Sequence, residues 1–311
     1  ACKGRGCEKC DNTGLQYKSS VQGLIGDPLL DIFGSGEHAF HGMGREDIDV
    51  RCLGRGRPFV IEMKKPIKRD IDSNIILEAI NSSAEGRIEV SDIRPSNRSE
   101  VVRVKDTPAE KSYTIRYKIE PITESELDEL TQVMEIPKNN QDRNRRRKKH
   151  YKGKKPEPEK EVEIDLTTLK KAELAEMCAE KGIPKSGTKD VLIERLSSFK
   201  EPTLPLPEQD YVMEIMTNLQ GCTLAQRTPE RVAHRRADKI RKRQVLETSN
   251  PSIEIDEEGN LVAEFSLRCE SGTYVKETVH GDSGRTQPSI ASLIKAKCMV
   301  EWLDVADIHA D

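Results

Sequence analysis

The sequence lacks what a membrane or secreted protein needs. No apolar run approaches the roughly 18 residues of a membrane span, and no basic-then-apolar leader opens the chain. An overall positive charge is missing too. Lys and Arg number 51 against 54 Asp and Glu, a formal net charge of −3, so nothing global advertises a nucleic-acid partner. Aromatic residues are scarce at 4 %, with one Trp, whereas charged residues reach 34 %. Net charge misleads when charge is segregated along a chain, and here it is. Eight cysteines without a secretory leader point to reduced thiols or metal ligands rather than disulfides, in a cytoplasmic protein. The 311 residues suffice for a sizeable core and one or two domains.

The stretch His41–Arg51 organises the rest. A glycine-punctuated turn runs into an alternation of Ile48, Val50 and Cys52 with Asp47, Asp49 and Arg51, the period-2 signature of a strand. Gly44 supplies the backbone freedom for a sharp corner. The pattern predicts Asp47 at the mouth of a strand, sharing a face with Asp49, with Arg45, Arg51, Arg55 and Arg57 placing positive charge nearby. Leu53–Arg57 reads as a hairpin turn into a strand over 58–63.

The N-terminal residues 1–16 form a cysteine-rich segment. Cys7 and Cys10 make a Cys-x-x-Cys knuckle flanked by glycines, a spacing that lets two thiolates reach one tetrahedral zinc. Cys2 is the candidate third ligand. A structural site takes four, so the zinc site is expected to be structural and incomplete within this sequence. Because the chain opens at Ala1 inside this cluster, an upstream segment is expected.

Coarser signals order the remainder. Leu24, Ile25, Leu29, Leu30, Ile32 and Phe33 fit one amphipathic helix ended by Gly34 and Gly36, expected to pack beneath the Asp47 strand. His38 and His41 read as structural or RNA-facing. A helix is predicted over 72–83 and strands over 87–93, 100–106 and 111–120, the last carrying Tyr113. Thr123-Glu-Ser-Glu126 reads as the cap of a helix over 123–136. Composition then shifts. Residues 138–162 are basic and nearly free of aliphatics, with Arg143, Arg145–Arg147, Lys148, Lys149, Lys152, Lys154 and Lys155. Such an arm buries no core and is suited to bind an RNA backbone. Over 163–200, Leu166, Leu169, Leu174, Met177 and Cys178 make one helical stripe and Val191, Leu192 and Leu196 another, separated by Gly182 and Pro184; this predicts a helical hairpin. Pro202, Pro205 and Pro207 mark a return linker before a helix over 208–219. Arg227, Arg231, His234, Arg235 and Arg236 form a dense basic patch. Glu258-Gly259-Asn260 turns between strands at 251–256 and 261–269, and Trp302 is assigned to the core.

Four of these stretches carry a family resemblance. Gly44-Arg45-Glu46-Asp47 resembles the Gly-Arg-x-Asp of RNA pseudouridine synthases, and Gly44–Glu62 as a whole is similar to the archaeal and eukaryotic tRNA pseudouridine-54/55 synthases. Gln226–Asp238 matches the same family. Ser271-Gly272-Thr273-Tyr274-Val275-Lys276-Glu277 resembles its Gly-Thr-Tyr motif, and Gly281–Leu293 its last motif. The resemblance covers 17–137 and 201–311. It implies an α+β fold of the pseudouridine-synthase kind, a mixed and mostly antiparallel sheet with flanking helices, interrupted by the basic linker and the helical hairpin. Asp47 becomes the catalytic carboxylate, with Asp49 its rival. Lys276 is expected to pair with it, since an opposite charge keeps a carboxylate ionised in a dry site. Tyr113 and Leu293 are expected against the flipped uracil, and Arg45, Arg51, Tyr274, Arg285 and the basic patch against the RNA.

The implied activity is isomerisation of uridine to pseudouridine in the TΨC arm of tRNA, at position 54, 55 or both. No cofactor is needed for the chemistry, and the enzyme is expected to be monomeric, with an RNA-binding domain upstream. The hairpin resembles the SAP motif, a helical nucleic-acid-binding module, with Lys170, Lys171, Lys185 and Lys189 as phosphate contacts. Two other readings stay open. One is a non-catalytic tRNA-binding or chaperone protein on the same fold. The other is a scaffold led by the SAP-like hairpin and directed at duplex DNA.

Overall fold

A computed structural model describes residues 5–10, 12, 19–134, 165–234 and 236–310. The expectations for Cys2, Arg235 and the basic stretch 138–162 lie outside the described residues. From the N-terminus run α1 (Val21–Gly26), α2 (Leu29–Phe33), β1 (Glu37–Gly42), β2 (Val50–Cys52) and β3 (Phe59–Lys64). Then come α3 (Ser73–Ser83), α4 (Arg98–Asp106), β4 (Glu110–Glu120) and α5 (Glu124–Thr131). The described chain resumes with α6 (Lys171–Glu180), α7 (Lys189–Ser198), α8 (Gln209–Asn218), β5 (Thr223–Arg227) and α9 (Glu230–Ala233). It ends with β6 (Ile240–Ile255), β7 (Leu261–Cys269), α10 (Val275–His280), β8 (Thr286–Gln287), α11 (Ile290–Ile294) and β9 (Lys297–His309).

The fold is α+β. Its larger sheet has the order β2-β9-β4-β7-β6-β5-β8. Only β2 on β9 is parallel; the other described pairings are antiparallel. β4 is an interior strand, between β9 and β7, and its alternation is strict: Lys111, Tyr113, Ile115, Tyr117 and Ile119 are buried on one face, and the residues between them are half-buried. Strands from both sides of the hairpin thus share one sheet: β4 comes before it, and β7 and β9 flank β4 from after it. One face carries the main core, to which α8, α10 and α11 contribute Val212, Met216, Val275, Val279, Ile290 and Ile294. No helix of the described residues is long and apolar enough to cross a membrane.

Several elements differ from the expectation. The helix over 24–33 is broken at Asp27-Pro28, since proline supplies no amide for helix continuation. It packs with α3, β1 and β3 in a separate cluster rather than beneath the Asp47 stretch. β2 and β3 do not form a hairpin: β3 pairs with β1, and β2 with β9. The alternation 47–52 yields strand only at 50–52, because Val50 N–H closes a turn onto the Asp47 carbonyl at 3.2 Å. Ile48, read as an inward strand residue, is therefore 72 % exposed. Residues 100–106, read as a strand, lie in α4, where Asn97 accepts from the amides of Ser99 and Glu100; 87–93 form no strand. Trp302 is half-buried at a surface position of β9. The cap at Thr123 is realised as a reciprocal capping box with Glu126.

The hairpin α6–α7 forms as expected around a core of its own, Leu174, Cys178, Leu192 and Leu196. Arg195 ties its loop by donating to the carbonyls of Pro184 and Ser186 at 2.8 and 2.6 Å. Lys189, expected to face phosphate, instead donates to the Thr167 carbonyl at 2.7 Å. Lys170, Lys171 and Lys185 are exposed.

Candidate active site

The segment 43–49 links β1, in the two-stranded sheet with β3, to β2 at the edge of the larger sheet, and a knot of charge holds it. Glu46 lies between two buried cations: Lys111 Nζ donates to its Oε1 at 2.6 Å, and the Arg57 guanidinium pairs with it from the other side. Arg57 also donates to the Met43 carbonyl at 3.2 Å. Burial, reinforced by Arg57, pushes the Lys111 amine down to about 8. Gly44 is required at this corner. Its φ of +82° favours glycine, and a Cβ there would stand 2.7 Å from Lys111 Nζ.

Beyond this corner, the carboxylates of Asp47 and Asp49 meet cations from the second half of the chain. Arg231, on α9, donates through Nη1 to Asp47 Oδ2. The same guanidinium donates through Nε and Nη2 to the two oxygens of Glu277, at 2.6 and 3.3 Å. Glu277 is 1 % exposed, Asp47 30 % and Arg231 38 %. Lys276 Nζ donates to Asp49 Oδ2 at 2.5 Å. Where the sequence paired Lys276 with Asp47, the folded chain gives Lys276 to Asp49 and Arg231 to Asp47. The Lys276 hydrogen bond holds the Asp49 carboxyl below its usual range. The first turn of α10 therefore sends one cation and one anion into the same charge cluster, from adjacent residues.

That turn is fixed in place by Gln226. Its buried side-chain amide closes a reciprocal pair with the backbone of Tyr274: Nε2 donates to the Tyr274 carbonyl and Oε1 accepts from the Tyr274 amide, both at 2.9 Å. Arg231 is fixed from the other side. Asp282 Oδ2 accepts from the amide of Glu230 at 3.0 Å, capping the short helix that carries Arg231. Beside them His280 is half-buried, and its partial burial pulls its imidazole below the ordinary value. Its Nδ1 accepts from the Asp282 amide at 3.1 Å, as a neutral ring does.

Tyr113 reaches this loop from beneath. It is 8 % exposed on the buried face of β4, shares the core with Met43, and lies within the electrostatic reach of Arg57 and Cys52. Burial pushes its phenol well above the usual range, so the ring offers a neutral hydroxyl and an apolar face. Leu293 is half-buried on α11 against the core, and its carbonyl accepts from the Tyr211 hydroxyl at 3.1 Å.

Other expected site residues divide between structure and surface. Arg51 donates through Nε to Asp304 at 2.8 Å and Arg55 through Nη2 to Asp307 at 2.9 Å. These arginines lock β2 and the following turn to β9 instead of surrounding Asp47. Arg227 grips Asp238 through Nε and Nη2 at 3.0 and 2.7 Å. Arg285 donates to the Thr228 carbonyl at 3.1 Å and stands 3.4 Å from the same Asp238. Both are internal ties. Arg45 and His234 are exposed. Arg236 is exposed too, with its guanidinium 6.0 Å from the Tyr274 ring centroid and 3.3 Å from its hydroxyl. Gln226, Glu277 and Glu46 had no role in the sequence reading, although all three sit inside stretches that carried the resemblance. His38 and His41 bond Asp27 and Glu62 at 2.8 and 3.3 Å, as structural histidines do.

At the other end of the chain, Cys7 and Cys10 Sγ atoms stand 3.7 Å apart. Two thiolates on one tetrahedral zinc, with bonds of about 2.3 Å, stand at about that separation. The pair fits half of such a site. Among the described residues no group of three or more His, Cys, Asp or Glu side chains is placed to hold a metal.

The family model described as "Pus10, C-terminal" matches residues 7–183 and 199–309. The chain belongs to that family. Among curated proteins it is 34 % identical over 307 residues to the tRNA pseudouridine synthase Pus10 of Methanothrix thermoacetophila, covering 99 % of this chain and 48 % of that protein. It is 31 % identical over 309 residues to the protein of the same name from Methanosphaera stadtmanae, covering 99 % and 54 %, and 31 % over 308 residues to that of Methanocaldococcus jannaschii, covering 99 % and 48 %. The chain spans about half the length of the curated relatives it matches. The Pus10 C-terminal match pauses only at 184–198, the α6–α7 turn and α7, a narrower gap than the insertion expected over 138–200.

Proposed function

We propose that this chain carries the catalytic part of a tRNA pseudouridine synthase, isomerising uridine to pseudouridine in the TΨC arm at position 54, 55 or both. The observation that carries the reading is the Asp47–Arg231–Glu277 chain of charge. Of the two carboxylates in that chain, only Asp47 combines partial exposure with a fixed orientation, which is what a nucleophile or base needs. Asp49 is mostly exposed, at 64 %, and suits a supporting role. The target uridine leaves its stack to reach such a site. Tyr113, with its neutral phenol, is read as the base's platform from below, and Leu293 as a wall of the pocket. Asp47 then engages C6 of the base or C1′ of the ribose, or assists elimination at C2′. The bond from C1′ to N1 breaks, the uracil turns, and C1′ bonds to C5, which gives up its proton while N1 takes one. There is no net oxidation or reduction and no group is transferred from outside, so the reading calls for no cofactor. Arg231 and Lys276 are both read as groups that orient the carboxylates and hold them against the negative charge of the RNA.

The enzyme is read as a cytoplasmic monomer. The α6–α7 hairpin is an accessory nucleic-acid module of the SAP kind, and Cys7 and Cys10 with Cys2 belong to a structural zinc site. Incubating the chain with an unmodified tRNA transcript and mapping pseudouridine tests the assignment. The wild type is expected to give product in the TΨC arm, and Asp47→Ala none, while still binding tRNA. Wild-type turnover by Asp47→Ala would overturn it.

A further inference from the structure

Between Ala225 and Lys242 the strands β5 and β6 lie side by side, and their register sorts the basic residues by face. Gln226 is opposite Arg241, and Leu224 opposite Arg243. Residues opposite one another in an antiparallel pair share a face. Gln226 sends its amide to Tyr274, so Arg241 and Arg243 lie on the side of the sheet that carries Tyr274 and the start of α10. Arg243 supports this independently: its guanidinium passes beside Gly272, where a Cβ would stand 3.5 Å from both Nε and Nη2. Gly272 has a φ of +80°, a backbone conformation that favours glycine. Lys239 falls one alternation earlier, and Arg236 lies over Tyr274 itself. Lys242 has the same charge but sits opposite Ala225, on the other face.

These cations differ from the arginines around them. Among the described residues no carboxylate pairs with Arg236, Lys239, Arg241, Lys242 or Arg243. Arg241 donates to the Thr228 hydroxyl and the Lys239 carbonyl, and Arg243 to the Lys242 carbonyl. The Arg243 Nε is covered and has no acceptor. The acids nearby are already engaged: Asp238 by Arg227 and Arg285, and Glu270 by the amide of Gln244 at 3.0 Å. A row of like charge kept unpaired in a chain of net charge −3 carries a standing repulsion that a polyanion relieves.

We propose that Arg236, Lys239, Arg241 and Arg243 form a track for an RNA phosphodiester backbone that runs along the β5–β6 face to Tyr274, two residues before Lys276, which pairs with Asp49. The track deepens the reading of an RNA substrate and rests on it for direction alone. A backbone held there delivers its bases toward the cluster of Asp47 without reading sequence, because phosphate contacts position and base contacts specify.

The test compares two neighbours of equal charge on opposite faces. Affinity of the chain for an unmodified tRNA transcript is measured over a series of KCl concentrations. Arg243→Gln is expected to make the slope of log K against log salt shallower by about 0.7–0.9, the loss of one phosphate contact. Lys239→Gln, at an exposed position, is expected to do the same, and the double variant about twice as much. Lys242→Gln is expected to keep the wild-type slope. Equal slopes for Arg243→Gln and Lys242→Gln overturn the track in favour of a general field, and so does an unchanged slope in the double variant. If the slopes separate but the wild type makes no pseudouridine, the enzymatic reading falls and the track stands. Pseudouridine formed without any separation of slopes keeps the enzyme and removes the track.

Discussion

Arg227–Arg231 and Arg236–Arg243 look alike in the sequence, two clusters of positive charge a few residues apart. In the folded chain they differ in kind. Arg227 is tied to Asp238, and Arg231 is stretched between Glu277 and Asp47. The second cluster meets no carboxylate among the described residues. Number of charges is therefore a poor proxy for charge on offer. The first cluster spends its guanidinium forks on fixing carboxylates, for which bidentate geometry suits arginine. The second keeps its charge for something outside the protein.

If the first cluster is machinery and the second a surface, substitutions should separate them by readout. The largest effect is expected at Arg231. Arg231→Met should lower kcat for pseudouridine formation by about 10²–10³-fold, the range for removing one fixed charge partner at a reacting centre. Lys276→Met, which releases Asp49 rather than Asp47, should lower it less. An equal or larger loss at Lys276 would return Asp47's principal partner to Lys276.

Next comes Glu277→Gln, which keeps the shape and removes the charge that holds Arg231. A drop in kcat of roughly tenfold to a hundredfold is expected from misplacing the guanidinium by an ångström or less, with KM nearly unchanged. Glu277→Asp should recover part of the loss. A purely structural Glu277 would instead lower the melting temperature and leave kcat alone at temperatures well below it.

Arg227→Gln sharpens the contrast from the other direction. It removes an internal tie, so stability should fall by about 1–2 kcal/mol, read as a melting temperature about 2–4 °C lower. The salt slope of tRNA binding should not move. A shallower slope would put Arg227 on the RNA surface.

The smallest effect is expected from pH. Burial holds the His280 imidazole below its ordinary value, so in the intervening window the unfolded chain carries a proton that the folded chain refuses. Stability then rises with pH through that window and is lost as pH falls below the unfolded value of about 6.5. Thermal unfolding at pH 7 and pH 5 should show this loss, and His280→Gln should reduce it. An identical pH dependence in the variant would remove His280 from the explanation.

How much was legible varied with the range of the interaction. The β4 alternation, the cap at Thr123, the α6–α7 hairpin and the Glu258–Asn260 turn are local patterns, and each formed where the sequence put it. The strand predicted at 100–106 failed because Asn97 could cap a helix there, and capping outweighed an ambiguous run of Val and Arg. The Asp47 alternation failed for a different reason: a turn closing on Asp47 took up two residues of the apparent strand. At the candidate site, Asp47, Tyr113 and the Ser271–Glu277 stretch were visible as residue types in motifs. Glu277 was visible only as the last letter of a motif, since nothing local shows that its carboxylate will be sealed against an arginine 46 residues earlier. Gln226 was hidden likewise, as an amide has no distinguishing pattern until it finds the backbone of Tyr274.

The sequence by itself determined the alternation of β4, the helical hairpin and a glycine corner ahead of Asp47, and its family resemblance implied that the segments on either side of the hairpin build one α+β sheet. The local features follow from periodicity, capping and backbone freedom, which act within a few residues. Only the tertiary structure decided which cation serves which carboxylate. Pairing depends on distances between residues about 180 and 230 positions apart, and Coulomb attraction in a half-buried cluster falls off over a few ångströms, so chain order carries almost no information about it.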